Sequence, residues 1–198
     1  MKQIVIIAIS ILALSSSTQR SLNPTTEGKP PEEVALQFYN WYLKYYNEYA
    51  KNSHFKTELS SPDIKLVNSA YQIISKDQFD QLKKIGFFSN EFFKNQTIIY
   101  NACNVQLRKV SIKKVEQCGC SPTEFVEGND CDFMTYYTWV GGQGENLNRA
   151  KIIKVNTHGN LSKVTIGISA DNYAYSRPEV TLLKEDGNWK ISKIELHY

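Results

Sequence analysis

The sequence predicts an α+β fold, and three observations carry that expectation. Apolar residues recur at helical spacing from Pro31 to about Lys109, then alternate with period two after Cys131, and Asp186-Gly187 near the end marks a β-hairpin turn. Such an order predicts about three N-terminal helices packed in the concavity of a strongly curved antiparallel sheet.

The segment before the domain comes first. It carries Lys2, an apolar run from Ile4 to Leu14 and the small residues Ser15, Ser16 and Ser17. This is the pattern of a secretory signal peptide, expected over residues 1–19. The run is well short of the ~20 residues that span a bilayer, and no cysteine follows it to carry a lipid. No membrane anchor is expected, and the mature chain is expected to be exported, periplasmic or secreted. Residues 20–30, rich in Pro, Thr and Gly, read as a flexible leader, and residues 31–198 as a single domain. The net charge of +3 comes from lysines scattered among acids, so no nucleic-acid partner is expected.

The first helix opens with Pro31, Glu32 and Glu33, favourable company for a helix N-terminus. Val34, Phe38, Trp41, Tyr45 and Tyr49 form one stripe, which Leu36, Tyr39, Leu43 and Tyr46 widen, so the helix must touch neighbours on two sides. Ser75-Lys76-Asp77-Gln78 fits a capping box before a short helix closed by Gly86. From Ser89, the residues Phe92, Phe93, Ile99, Tyr100, Cys103, Leu107 and Val110 cluster on one helical face. Beyond Lys109 the boundary stays open, because VSIKKV suits a strand start as well. Arg108, Lys109, Lys113 and Lys114 read as a solvated helix face.

Strand patterns follow in DFMTYYTWV, KIIKVNT and LSKVTIGISA, with THGN as a hairpin turn between the last two. The final EVTLLKEDGNWKISKIELHY makes two strands about Asp186-Gly187. Trp189 and Ile191 share one parity and Ile194 and Leu196 the other, which calls for a β-bulge near Lys193.

Cys103, Cys118, Cys120 and Cys131 form an even set in a chain addressed to an oxidising compartment, which predicts two structural disulfides. Zinc sites space paired thiolates by about two to four residues, whereas a single Gly119 separates Cys118 from Cys120. Redox pairs usually leave two residues between their cysteines and sit at a helix start. A Cys118–Cys120 bridge would close a very small ring and is discounted. Cys103 is therefore expected to pair with one of these neighbours and Cys131 with the other.

The aromatic helix FYNWYL (Phe38 to Leu43) and the terminal VTLLKEDGNWKISKI (Val180 to Ile194), in this element order, resemble the cone-shaped nuclear-transport-factor-two-like, cystatin-like superfamily. With the signal peptide, the CDFMTYYTW strand and the closing GNWKI, the chain is similar to a family of exported bacterial domains with no assigned function. The resemblance covers most of residues 31–198. Its hairpin residues Gly187, Trp189 and Ile191 imply structure and not activity. It further implies a conical fold with a pocket between the helices and the concave sheet face, used by different members for isomerisation, dehydration, ligand holding or protein contact.

No residue presents a catalytic signature. Asp132, Tyr136, Asp171 and Tyr42 could furnish an acid beside Tyr hydroxyls, although both acids fall at strand ends, where a solvent-facing acid is the ordinary occupant. His54, His158 and His197 are too dispersed for a shared metal, so neither metal nor cofactor is expected. Gly141-Gly142-Gln143-Gly144 lacks the Lys and Ser/Thr of a phosphate loop and reads as a hairpin connection. Asn95-Gln96-Thr97 and Asn160-Leu161-Ser162 match the glycosylation sequon, which bears only on a eukaryotic host. The abundant aromatics suggest a pocket lined by Phe38, Trp41, Tyr42, Tyr45, Tyr136 and Trp139, suited to an amphipathic small molecule or peptide, with ordinary packing as the plainer reading. The expected function is an exported non-catalytic binding module for a small ligand or a protein partner. A pocket enzyme of isomerase or lyase type is one alternative. A protein-interaction or inhibitor module acting through the sheet face, as in a homodimer, is the other.

Overall fold

The structure is a computed structural model and describes residues 26–51, 62–128, 131, 139–140, 147–171 and 173–196. The expected signal peptide, His54, Tyr136, Asp132, most of the CDFMTYYTW strand, the Gly-rich 141–144 connection and His197 lie outside the described residues. The architecture is α+β: among the described residues four α-helices and a two-stranded hairpin precede a five-stranded antiparallel sheet.

Helix α1 (Pro31–Lys51) buries Val34, Ala35, Phe38, Tyr39, Tyr42 and Leu43. That face is centred on Phe38 and Tyr42, which leaves Trp41 and Tyr45 half-buried at its margin. Hairpin β1 (Asp63–Val67) and β2 (Ala70–Ile74) follows, turning on Asn68 and Ser69, both with positive φ. Helix α2 (Lys76–Ile85) starts after Ser75 and ends at the left-handed Gly86. The expected capping box does not form. Ser75 has helical backbone angles and makes no side-chain cap, and Gln78 instead accepts the Tyr100 hydroxyl at 2.9 Å.

Helix α3 (Asn90–Leu107) is capped by the Ser89 hydroxyl, which accepts the Phe92 N–H at 3.1 Å. The open boundary resolves into a further helix, α4 (Ile112–Cys118), capped by Ser111 and closed by Gly119. A 3-10 turn (Pro122–Phe125) with a capping box between Ser121 and Glu124 follows.

The sheet comprises β3 (Arg149–His158), β4 (Leu161–Ala170), β5 (Tyr173–Ser176), β6 (Glu179–Glu185) and β7 (Asn188–Glu195). Its order is β3-β4-β6-β7, with β5 beside the far end of β4. Asp186 and Gly187, at φ 50° and 81°, make the expected two-residue turn. The expected bulge is present as well: Thr181 faces Lys193 and Leu182 faces Ile191, so Ser192 is the extra residue. Its hydroxyl donates to the Thr181 carbonyl at 3.1 Å. The bulge lets Ile191 and Ile194, three apart, face the same side as Leu182 and Val180.

Two apolar clusters result. The main one joins α1 and the Phe87–Phe92 region to β4, β6 and β7. The second holds Ile73, Tyr100, Cys103, Leu107 and Cys131. The end of the expected leader is docked, because Thr26 is buried and receives the Lys190 ammonium at 3.0 Å, while Gly28 N–H donates to Asn188.

The two disulfides correct the expected pairing. They are Cys103–Cys131 and Cys118–Cys120. Gly119 takes a left-handed conformation at φ 66° at the end of α4, and this turn sets the Cα atoms of Cys118 and Cys120 5.2 Å apart, within bridging reach. Cys103, at 0 % exposure, meets Cys131 inside the second cluster, where neither member of the neighbouring pair reaches.

The bridges should differ in their contribution to stability. Cys103–Cys131 spans 28 positions, and its replacement by Ala at both sites should lower unfolding free energy by about 3 to 4 kcal/mol on the chain-entropy scale. Replacing both Cys118 and Cys120, two positions apart, should cost about 1.5 kcal/mol. Denaturant titration of the two double variants checks the order, and equal losses would contradict it.

Candidate functional site

Of the six residues expected to line a pocket, the structure brings five together, and they pack on one another. Phe38 is fully buried, with ring centroids 6.0 Å from Tyr42, 6.1 Å from Trp41 and 5.3 Å from Trp139. Tyr42 lies edge-on to Trp139 at 5.0 Å, and Trp41 stacks on Tyr45 at 5.7 Å. Phe87 and Phe88 close the same cluster against Phe38 at 5.5 and 5.4 Å. Tyr136 lies outside the described residues.

The tyrosine hydroxyls find partners inside this packing. Tyr39 donates to the Trp139 carbonyl at 2.8 Å, and burial, with Tyr42 adding to it, holds its hydroxyl well above the usual tyrosine range. In the second cluster burial pushes Tyr100 up to about 12, and its hydroxyl donates to Gln78. Neither group is poised to titrate near neutrality. Asp171 sits exposed at the end of β4, where it accepts Asn148 at 2.9 Å and faces Arg149 at 3.3 Å. His158 is exposed at the end of β3. Among the described residues no group of three metal-binding side chains converges, and no helix is long and apolar enough to cross a membrane.

Strand β3 exposes apolar side chains at the margin of the sheet. Among the described residues β3 forms an edge of the sheet, with nine of its ten residues exposed. Ile152, Ile153 and Val155 are 39, 46 and 41 % exposed, and Leu161 at the start of β4 is 42 % exposed. Directly opposed residues of an antiparallel pair share a face. Ile152 opposite Ile166 and Val155 opposite Val164 therefore extend the buried side of the sheet outward. A bulge places Ile153 as the extra residue between Ile152 and Lys154. Its side chain lies over Gly167, where an added Cβ would come within 2.7 Å of Ile153 Cδ1. Leu161 and Gly167 share the opposite parity of β4, so apolar surface is exposed on both sides of β3.

Charge on this strand has one sign. Arg149, Lys151 and Lys154 are its charged residues, and neither lysine has an acidic partner among the described residues. Sequence reasoning did not single out Ile152, Ile153 or Val155. The available signal was KIIKV itself, with adjacent isoleucines that a strictly alternating strand cannot hide on one face.

Tyr100 supplies a check on the packing. An acid whose folded pKa is raised keeps its stabilising effect below the unfolded value and loses it as pH rises through the folded one. Stability should thus hold up to about pH 10 and fall towards pH 12. Tyr39 acts in the same direction. Urea midpoints across this range should fall less steeply for Tyr100→Phe, and identical slopes would contradict the burial described. No family model, no curated protein and no solved structure matches this chain.

Proposed function

We propose that the chain is an exported, non-catalytic binding module of the cone-shaped nuclear-transport-factor-two-like kind, and that it receives an extended, acidic segment of a protein partner along β3. The observation that carries this reading is the exposed apolar and acid-free surface of β3. A strand edge offers backbone donors and acceptors to an added strand, and the flanking side chains supply selectivity. Ile152 and Val155 would take apolar side chains of the segment on one side and Ile153 with Leu161 on the other. Lys151 and Lys154 favour acidic residues in it.

Between a small ligand and a protein partner, the packing of Phe38, Tyr42 and Trp139 supports the partner, since these rings fill space that a ligand would need. It speaks against the pocket enzyme for the same reason. Export is supported by the leader pattern and by two disulfides, which persist in oxidising compartments.

Fluorescence anisotropy tests the reading, using the mature chain and a labelled heptapeptide that alternates Glu with Val. Binding at micromolar to millimolar strength is expected, weakened about tenfold or more in Ile152→Asp/Val155→Asp. An acidic heptapeptide with Ser in place of every Val binding equally well would reduce the effect to charge and overturn the proposal. Concentration-dependent doubling of mass without peptide binding would move the site to a second copy of the chain.

A further inference from the structure

A different site lies on α4, away from β3. The two disulfides differ in exposure: Cys103 and Cys131 are 0 and 4 % exposed, whereas Cys118 is exposed at the end of its helix. Beside the same helix opens a cavity of about 320 Å³, lined by residues that include Gln106, Lys109, Ser111, Lys114, Phe125 and Glu127. That volume lies within the range of small-molecule sites. Lys114 precedes Cys118 by four residues, so the two share a helical face about 6 Å apart along the axis.

The walls of the cavity are held in place. Ser111 caps α4 by accepting the Lys114 N–H at 3.4 Å, and Lys109 Nζ donates to Gln106 at 3.0 Å. Ser121 and Glu124 cap the 3-10 turn that carries Phe125. Among the described residues Lys109, Lys114 and Glu127 form no ion pair with one another or with other residues. Two cations and one anion thus stand around a partly apolar floor.

We propose that Cys118–Cys120 is a thiol–disulfide exchange site, and that the cavity at the start of the same helix, one turn from Cys118, receives a small peptide thiol carrying two carboxylates and one ammonium group. The charges of such a thiol mirror those of Lys109, Lys114 and Glu127. Its thiolate attacks the Cys118 sulfur, the bond to Cys120 breaks, and Cys120 leaves as a thiolate that takes up a proton. A second molecule of the thiol, losing its proton, attacks the small-molecule sulfur of this mixed disulfide. The bond to Cys118 then breaks, and Cys118 leaves as a thiolate and is protonated. Two thiols are oxidised to one disulfide, and Cys118 and Cys120 are reduced to a dithiol. The reverse sequence reoxidises them. The Lys114 ammonium favours the thiolate released at Cys118. Because the ring closes so little chain, it can open while Cys103–Cys131 keeps the second cluster together.

The site does not depend on the reading of β3, and it is tested on the full mature chain with three thiols. Glutathione is the probe for the peptide thiol, cysteamine the cationic and 2-mercaptoethanol the neutral comparison. Each rate of opening Cys118–Cys120, read by thiol blocking and peptide mass, is divided by that thiol's rate on a linear model disulfide. At low salt the normalised rate for glutathione should exceed that for cysteamine about tenfold, from about threefold per lysine. Lys109→Gln/Lys114→Gln should bring the two together, with Cys103–Cys131 closed throughout. Equal normalised rates in the wild type, opening of both bridges together, or a starting peptide map without the Cys118–Cys120 link would each overturn the proposal.

Discussion

Ile191 makes the contact on which both layers depend. Its side chain is fully buried in the main cluster, its N–H donates to the Phe87 carbonyl at 2.8 Å, and its carbonyl accepts the Ser89 N–H at 2.9 Å. Ser89 in turn caps α3, so one residue of β7 fixes where the helix begins. The same clamp holds Phe87 and Phe88 against Phe38 of α1. A one-residue slip of β7 would turn Ile191 outward and break this joint, which explains why the bulge at Ser192 matters: it absorbs the parity change without moving Ile191.

Helix α3 links the two clusters. Phe92 near its start belongs to the main cluster, while Tyr100, Cys103 and Leu107 further along belong to the second. The second cluster also receives the β1–β2 hairpin, where Ile73 N–H donates to Asn104 at 2.7 Å. The β3 strand belongs to the sheet that covers the large core, whereas Cys103–Cys131 holds the smaller one; Val115, the buried residue of α4, belongs to neither cluster.

Features governed by local backbone chemistry were legible in the sequence. The Asp186-Gly187 turn, the bulge beside Lys193 and the start of α3 at Ser89 each follow from a few adjacent residues. The β1–β2 hairpin was not legible, because its turn uses Asn68 and Ser69 with no glycine to signal positive φ. The pairing of Cys118 with Cys120 depends on the conformation of Gly119, which spacing alone does not reveal. The surplus of tyrosine suggested an open pocket, yet the hydroxyl of Tyr39 reaches a backbone carbonyl that composition cannot show. At β3 the alternation indicated a strand, and the bulge that exposes Ile153 broke the inference from parity to burial.

The two margins of the sheet are treated differently. At β7 the chain supplies its own partner, with Phe88 bridged in parallel to Ile191 in mid-strand. Among the described residues β3 has no such guard. A strand added on β3 would extend the sheet on the side away from the Phe88–Ile191 bridge, so the joint that seats α3 would stay in place while the sheet lengthened.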